Sequence, residues 1–229
     1  MRRFVLPITA ALLAWLIVAA VDGQSPESGR VAGHVTLTRR IKGSALPSTA
    51  YPTRAVGTSS TRAIPEIRNV VVYLKDVAFR APPSAAKGVL RQEHEAFVPH
   101  VLPIMRGSTV EFPNDDPIFH NVFSLSSAAS FDLRRYPRGQ SRSQLFPKAG
   151  IVKVYCHIHS HMSATILVLD HPYFTTPGAD GTFELPNVPP GEYTVVGWHE
   201  RVGERRARVR VEGGKVATVD LSLPVEDAR

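Results

Sequence analysis

Beyond its first two dozen residues the chain is a succession of short β-branched runs closed by glycine, proline, asparagine or aspartate. They are Val31–Thr38, Val70–Leu74, Val101–Ile104, Thr109–Phe112, Asn121–Leu125, Ile151–Tyr155, Thr165–Leu169, Thr182–Leu185, Tyr193–Val196, Ala207–Val211 and Ala217–Leu223. Runs this short cannot sustain helices. They suit strands, where branched side chains pack on a pleated surface and the punctuating residues turn the chain. With 16 Gly and 19 Pro in 229 residues there are turn-formers enough to separate many of them. Hydrophobic residues at 43% exclude a disordered chain and supply apolar side chains for one large core or two small ones. The predicted fold class is all-β, built from sandwiches.

The chain starts Met1-Arg2-Arg3, followed by an apolar stretch from Phe4 to Val21 that ends in small residues. Basic, apolar and small regions in that order are the pattern of a secretory signal over residues 1–23, with cleavage after Ala20 or after Gly23 both allowed. The rival is an uncleaved anchor, since roughly 18 apolar residues approach a bilayer span. The expected location is periplasmic or secreted, with no stable membrane span after cleavage. Lys42 to Pro65 is rich in Ser, Thr, Ala and Pro without periodicity and reads as a loop, and Ala81–Lys87 as a shorter linker.

The formal net charge is +7, concentrated in two clusters. One is Arg134, Arg135, Arg138 and Arg142; the other is Arg201, Arg205, Arg206, Arg208 and Arg210. Positions 206, 208 and 210 fall on one face of a strand. A solvated face is the plainer reading, and a basic surface for docking a redox partner protein the functional one. Nucleic acid is not expected, because no nucleic-acid motif accompanies the charge.

Cys156 is the only cysteine, which rules out an internal disulfide and any site needing two thiolates. It sits in Val154-Tyr155-Cys156-His157-Ile158-His159-Ser160-His161-Met162. Upstream lie Asn114-Asp115-Asp116-Pro117, read as a turn rather than a calcium loop, and Ile118-Phe119-His120-Asn121-Val122. His94 and His100 are expected at the surface, and Trp198-His199-Glu200 as a strand end.

The His-Asn-Val element followed by Cys, two residues, His, two residues and Met resembles the cupredoxin (blue-copper) family, particularly its amicyanin and plastocyanin branch. The arrangement is also similar to bacterial secreted proteins of the methylamine-utilisation type. The resemblance implies a cupredoxin-like Greek-key β-sandwich over residues 88–170 that binds copper through His120, Cys156 and His159, with Met162 as a weak axial ligand. One thiolate, two imidazoles and a thioether suit both copper oxidation states. Asn121 would then hydrogen-bond to the cysteine loop and stiffen it. A comparison with multicopper oxidases, which also carry a Cys-His-Ile run, makes His161 the alternative ligand. The further His-x-His pairs such oxidases need are missing, so an enzyme is not expected.

The flanking regions, 29–80 and 171–225, resemble the two halves of a carboxypeptidase-regulatory-like (transthyretin-like) β-sandwich. Gly33-His34-Val35-Thr36-Leu37 and Asn69 to Leu74 match its opening strands, and Asp180-Gly181-Thr182-Phe183 and Pro189-Pro190-Gly191-Glu192-Tyr193 its later ones. About a hundred residues intervene between the halves, so the metal-binding segment is expected as an insertion that borrows an edge strand from its host. The function implied is a periplasmic one-electron carrier. The alternatives are a copper-handling or chaperone protein and a non-catalytic envelope scaffold or adhesion protein.

Overall fold

A computed structural model of the protein describes residues 27–38, 66–79 and 86–224. The signal region, the loop from Lys42 to Pro65 and most of the second linker lie outside the described residues. The chain forms β1 (Gly29–Leu37), a 3-10 turn (Glu66–Asn69), β2 (Val71–Lys75), β3 (Lys87–Val89), β4 (Arg91–Glu93), β5 (Ala96–Val98) and β6 (Val101–Met105). Next come β7 (Thr109–Pro113), β8 (His120–Ser126), β9 (Ala129–Tyr136), β10 (Ser141–Leu145), β11 (Gly150–Tyr155) and β12 (Ser163–Leu169). The last are β13 (Phe174–Thr175), β14 (Thr182–Val188), β15 (Gly191–His199), β16 (Gly203–Val211), β17 (Val216–Thr218) and β18 (Leu221–Leu223). Every run named from the sequence falls on a strand, with Thr38 and Val70 one residue outside β1 and β2 and the last run divided between β17 and β18, and the fold is all-β. Among the described residues no helix is long and apolar enough to cross a membrane.

Strands from both ends of the chain share one sandwich. β1 pairs antiparallel with β14 and parallel with β17 and β18, forming one sheet. The opposing sheet runs β13-β2-β15-β16. Val31, Val35, Val72, Leu74, Leu185, Val195, Val209 and Leu223 fill the space between them. A second sandwich comprises the sheets β6-β12-β11-β8-β9 and β10-β7-β3, with the β4–β5 hairpin alongside. Its core includes Ile104, Phe112, Val122, Val152, Val154 and Ile166, and it extends to Cys156 and Met162.

Two strands explain how the sandwiches meet. A half-buried strand should alternate, yet Val70-Val71-Val72 and Ile166-Leu167-Val168-Leu169 are apolar throughout. In β2, Val72 and Leu74 enter the first core. In β12, Ile166 and Val168 enter the second. The residues facing the other way, Val71, Leu167 and Leu169, join Val101, Val196 and Trp198 in a third apolar cluster between the two sandwiches. The neighbour therefore contributes a face. No described strand pairs across the junction, so the expected borrowed edge strand is absent from the described residues.

Beside this apolar junction stands a polar one. Glu200, just past β15, accepts hydrogen bonds from His100 Nε2 (2.5 Å), Lys153 Nζ (2.8 Å) and Thr165 Oγ1 (2.8 Å). His100 also donates from Nδ1 to the Ser163 carbonyl at 3.0 Å. Both ring nitrogens face acceptors, so the ring carries both protons. The Glu200 contact raises its pKa against the opposing effect of burial. His100 is thus a half-buried link between sandwiches rather than the surface residue expected, and Glu200 does more than end a strand.

Arg205, Arg206, Arg208 and Arg210 are exposed on β16, at one edge of its sheet, while Val209 and Val211 point inward. A charged edge of this kind resists strand pairing with other chains.

Candidate metal centre

Three ligating side chains converge at one end of the second sandwich. Cys156 directly follows β11, and His120 opens the adjacent antiparallel strand β8. His159 lies in the connection from β11 to β12. That connection is short and internally bonded: Cys156 N–H donates to Met162 O (3.3 Å) and Met162 N–H to His159 O (3.0 Å). The His120 and His159 Nδ1 atoms are 3.0 Å apart, and Cys156 Sγ is 4.0 Å from the first and 3.9 Å from the second. These three are the group able to hold a metal ion among the described residues. Bonds of about 2.3 Å to thiolate and about 2.0 Å to imidazole need nitrogen–sulfur edges of about 3.5 to 3.9 Å, so the triangle fits a first-row ion.

The surroundings prepare each donor. His120 is fully buried, and its Nε2 donates to Asp116 at 2.7 Å. That bond leaves the Nδ1 lone pair of the neutral ring facing Cys156 and His159. The Asp116 carboxylate also accepts the backbone N–H groups of His94 (2.6 Å) and Glu95 (2.9 Å). Burial acts to raise its pKa, but these amides and His120 outweigh it and hold it below the usual value. Burial likewise pushes the Cys156 thiol up, while His120 and the backbone amides of Asn121, His159 and Ile158 bring it down to about 6. The thiol is therefore predisposed to the thiolate that metal binding requires.

Asp116 was not singled out in the sequence. Its signal was the turn Asn114-Asp115-Asp116-Pro117, four residues before His120. Asn114 builds that turn, accepting Asp116 N–H at Oδ1 (3.0 Å) and donating from Nδ2 to the carbonyls of Ile118 (2.9 Å) and Tyr136 (3.0 Å).

Asn121 Oδ1 accepts the His157 N–H at 2.7 Å, and its Nδ2 donates to Asp132 at 3.0 Å on the neighbouring strand. The side chain thus ties the cysteine loop to β9. Met162 is buried in the same core cluster as Cys156. His157 turns aside and stacks on Phe123, with ring centroids 3.7 Å apart. His161 stays outside the triangle: its side chain is 61% exposed, and Nε2 is 3.5 Å from Glu95 Oε2.

A buried thiol just past one strand, an imidazole opening the neighbouring strand and a second imidazole in the following loop form a candidate mononuclear metal site in an all-β protein. No protein-family model matches the chain, and no curated protein matches it. Among solved structures it is similar to a copper-containing nitrite reductase from Thermus scotoductus SA-01, at 25% identity and a TM-score of 0.36. That match covers 42% of this chain and 25% of the reductase. It is also similar to the Cu(I) form of an amicyanin mutant, at 20% identity and a TM-score of 0.34, over 43% of this chain and 98% of amicyanin. A purple cupredoxin from Nitrosopumilus maritimus matches at 23% identity and a TM-score of 0.32, over 37% of this chain and 99% of that one.

Proposed function

We propose that the protein is an exported copper-binding protein whose segment 88–170, set between the halves of a host sandwich, carries a mononuclear type 1 copper site and transfers single electrons. The observation that carries this reading is the convergence of His120 Nδ1, Cys156 Sγ and His159 Nδ1 within 4.8 Å of one another. Met162 is the proposed axial ligand. Copper, when bound, supplies a one-electron couple; the protein's part is to keep the donors in one arrangement for both oxidation states.

Several contacts serve that purpose. Asp116 fixes the orientation of His120, Asn121 restrains the loop, and the two backbone bonds across residues 156–162 close it. Ligands held this way move little when the charge on the metal changes, which favours fast electron exchange. Phe119 beside His120 and Ile158 beside His159 are 56% and 39% exposed, an apolar rim at which a redox partner could approach the centre. Of the two basic clusters, Arg134 and Arg135 line a hollow of about 350 Å³ with Asn121, Asp132 and His157, next to the centre. The β16 arginines belong to the other sandwich. The partner surface proposed here is therefore the first cluster.

Titrating the metal-free protein with Cu(II) tests the reading. An intense visible thiolate-to-copper absorption, saturating at one equivalent and lost in Cys156→Ser, is expected. Copper binding without that absorption, or without a reversible redox wave, would overturn it.

A further inference from the structure

We propose that His161 and Glu95 form an outer metal station that collects a divalent copper ion from solvent and delivers it to His159 and the buried ligands behind it. The proposal rests on the reading of His120, Cys156 and His159 as a copper centre, and adds a pair of residues which that reading leaves unused.

The first argument is spacing. Buried histidines here stand close to their carboxylates, 2.7 Å for His120 and Asp116 and 2.9 Å for His199 and Glu66, while the exposed sequence neighbours His94 and Glu93 are 3.8 Å apart. His161 Nε2 and Glu95 Oε2 are 3.5 Å apart. That is long for a charge-assisted bond. It matches the edge of about 3.3 to 3.5 Å that two ligand atoms span when each lies about 2.0–2.1 Å from a tetrahedral ion.

The second is position. The His161 ring lies 6.0 Å from the His159 ring, whose own centroid is 4.8 Å from that of His120. Exposure falls along the same line, from His161 and Glu95 at 61% and 47%, through half-buried His159, to His120 at 0%. Donor chemistry changes in step. Imidazole nitrogen and carboxylate oxygen suit a hydrated divalent ion, while thiolate with two imidazoles forms the tighter, softer set.

The third is that neither outer residue hangs on a free loop. Glu95 and His94 form the turn between β4 and β5, and both have φ near 54°, a left-handed conformation unfavourable for residues with a side chain. Asp116 holds them there by accepting both amides, and the oxygen that takes Glu95 N–H also takes His120 Nε2–H. Glu95 is therefore fixed in register with an inner ligand. His161 is held by the closed loop that carries His159 and Met162.

Two protein ligands leave most of the ion's positions to water, so the station exchanges quickly. Delivery is ligand substitution without a change of oxidation state. His161, Glu95 and the remaining waters are released as His159, His120 and the Cys156 thiolate take their places, and any thiol proton goes to solvent.

The test is stopped-flow loading of the metal-free full-length mature protein with Cu(II), following the thiolate absorption in wild type, His161→Asn, Glu95→Gln, the double variant and Glu93→Gln. Each outer-site single variant should load about tenfold more slowly, the scale of losing a supporting contact to a metal. The double variant should be no slower than either single one, because the two residues act as one chelate. All should reach the same final spectrum. Loading at the wild-type rate would overturn the station. So would equal slowing in Glu93→Gln, which removes a nearby negative charge without touching the pair, and so would an altered final spectrum, which would make His161 a resident ligand. Absence of the absorption in every protein, wild type included, would instead refute the underlying copper centre.

Discussion

Replacing Asp116 by asparagine keeps the shape of the side chain and removes its charge, which isolates what the carboxylate does. Asp116 is 7% exposed and accepts three hydrogen bonds: His94 N–H on one oxygen, Glu95 N–H and His120 Nε2–H on the other. An amide has a single oxygen. Placed where it serves Glu95 and His120, it leaves its NH2 group facing the His94 N–H. Two bonds then drop from charged to neutral strength, about 1 kcal/mol each, and the part-buried His94 donor loses its partner at about 1–3 kcal/mol. Relaxation of the left-handed turn at His94 and Glu95 returns part of this, so a net loss of about 3 kcal/mol in the metal-free protein is expected. Urea denaturation followed by circular dichroism at neutral pH measures it. The pH dependence gives a second check. The folded-state pKa of Asp116 lies below its usual 3.8, so its stabilisation is present above that value and lost as pH falls through the lower one. The variant should lack that acid-side loss. Copper affinity, measured against a competing chelator, should fall about 10- to 100-fold. A stability within about 0.5 kcal/mol of wild type, with unchanged affinity, would refute Asp116 as the residue that positions His120.

The bridge at Glu200 predicts an optimum. Glu200 is held below its usual 4.5 and His100 above its usual 6.5, so their stabilisation is greatest between those pH values; it fades at acid pH as Glu200 protonates and at alkaline pH as His100 loses its proton. Glu200→Gln should cost about 2 kcal/mol within that window and flatten the curve on both sides of it, as read from urea midpoints. Leu167→Ala, which empties part of the apolar junction, should cost about 2–4 kcal/mol and lower the melting temperature without changing the copper spectrum. Gly33→Ala should destabilise the first sandwich by about 1–3 kcal/mol or more, since a Cβ there would lie 1.7 Å from the Val219 carbonyl oxygen; an unchanged denaturation midpoint would contradict the described packing of β1.

The strands with an apolar face could be read from sequence because alternation and punctuation are local properties. β9 and β10 could not. Arg134 and Arg135 drew attention as charge, although Phe131 and Leu133 on the same strand pack on the core. β10, Ser-Arg-Ser-Gln-Leu, has no buried residue and is a strand because it pairs with β7. The three central ligand candidates were legible because a loop and a strand start carry them at recognisable spacing. Asp116 and Glu200 were not, since their roles arise from partners that folding brings to them. Glu200 meets Lys153 and Thr165 from strands far away in sequence, and Asp116 meets the amides of a hairpin 22 and 21 residues upstream. His159 rather than His161 stands beside His120 and Cys156, a difference that spacing alone leaves open.

The parallel pairing of β1 with β18 has a mechanical consequence. Val35, Thr36 and Leu37 stand opposite Leu221, Ser222 and Leu223, and the two strands point the same way. Tension applied between Gly29 and Leu223 would pull these strands along their length, loading their evenly spaced hydrogen bonds together instead of peeling them one at a time. Until that pair slips, the covalent path between them carries little of the load. Strand β8, which His120 opens, and β11, which Cys156 follows, lie along that shielded path, so the His120–Cys156–His159 cluster would keep its shape in a protein held under strain.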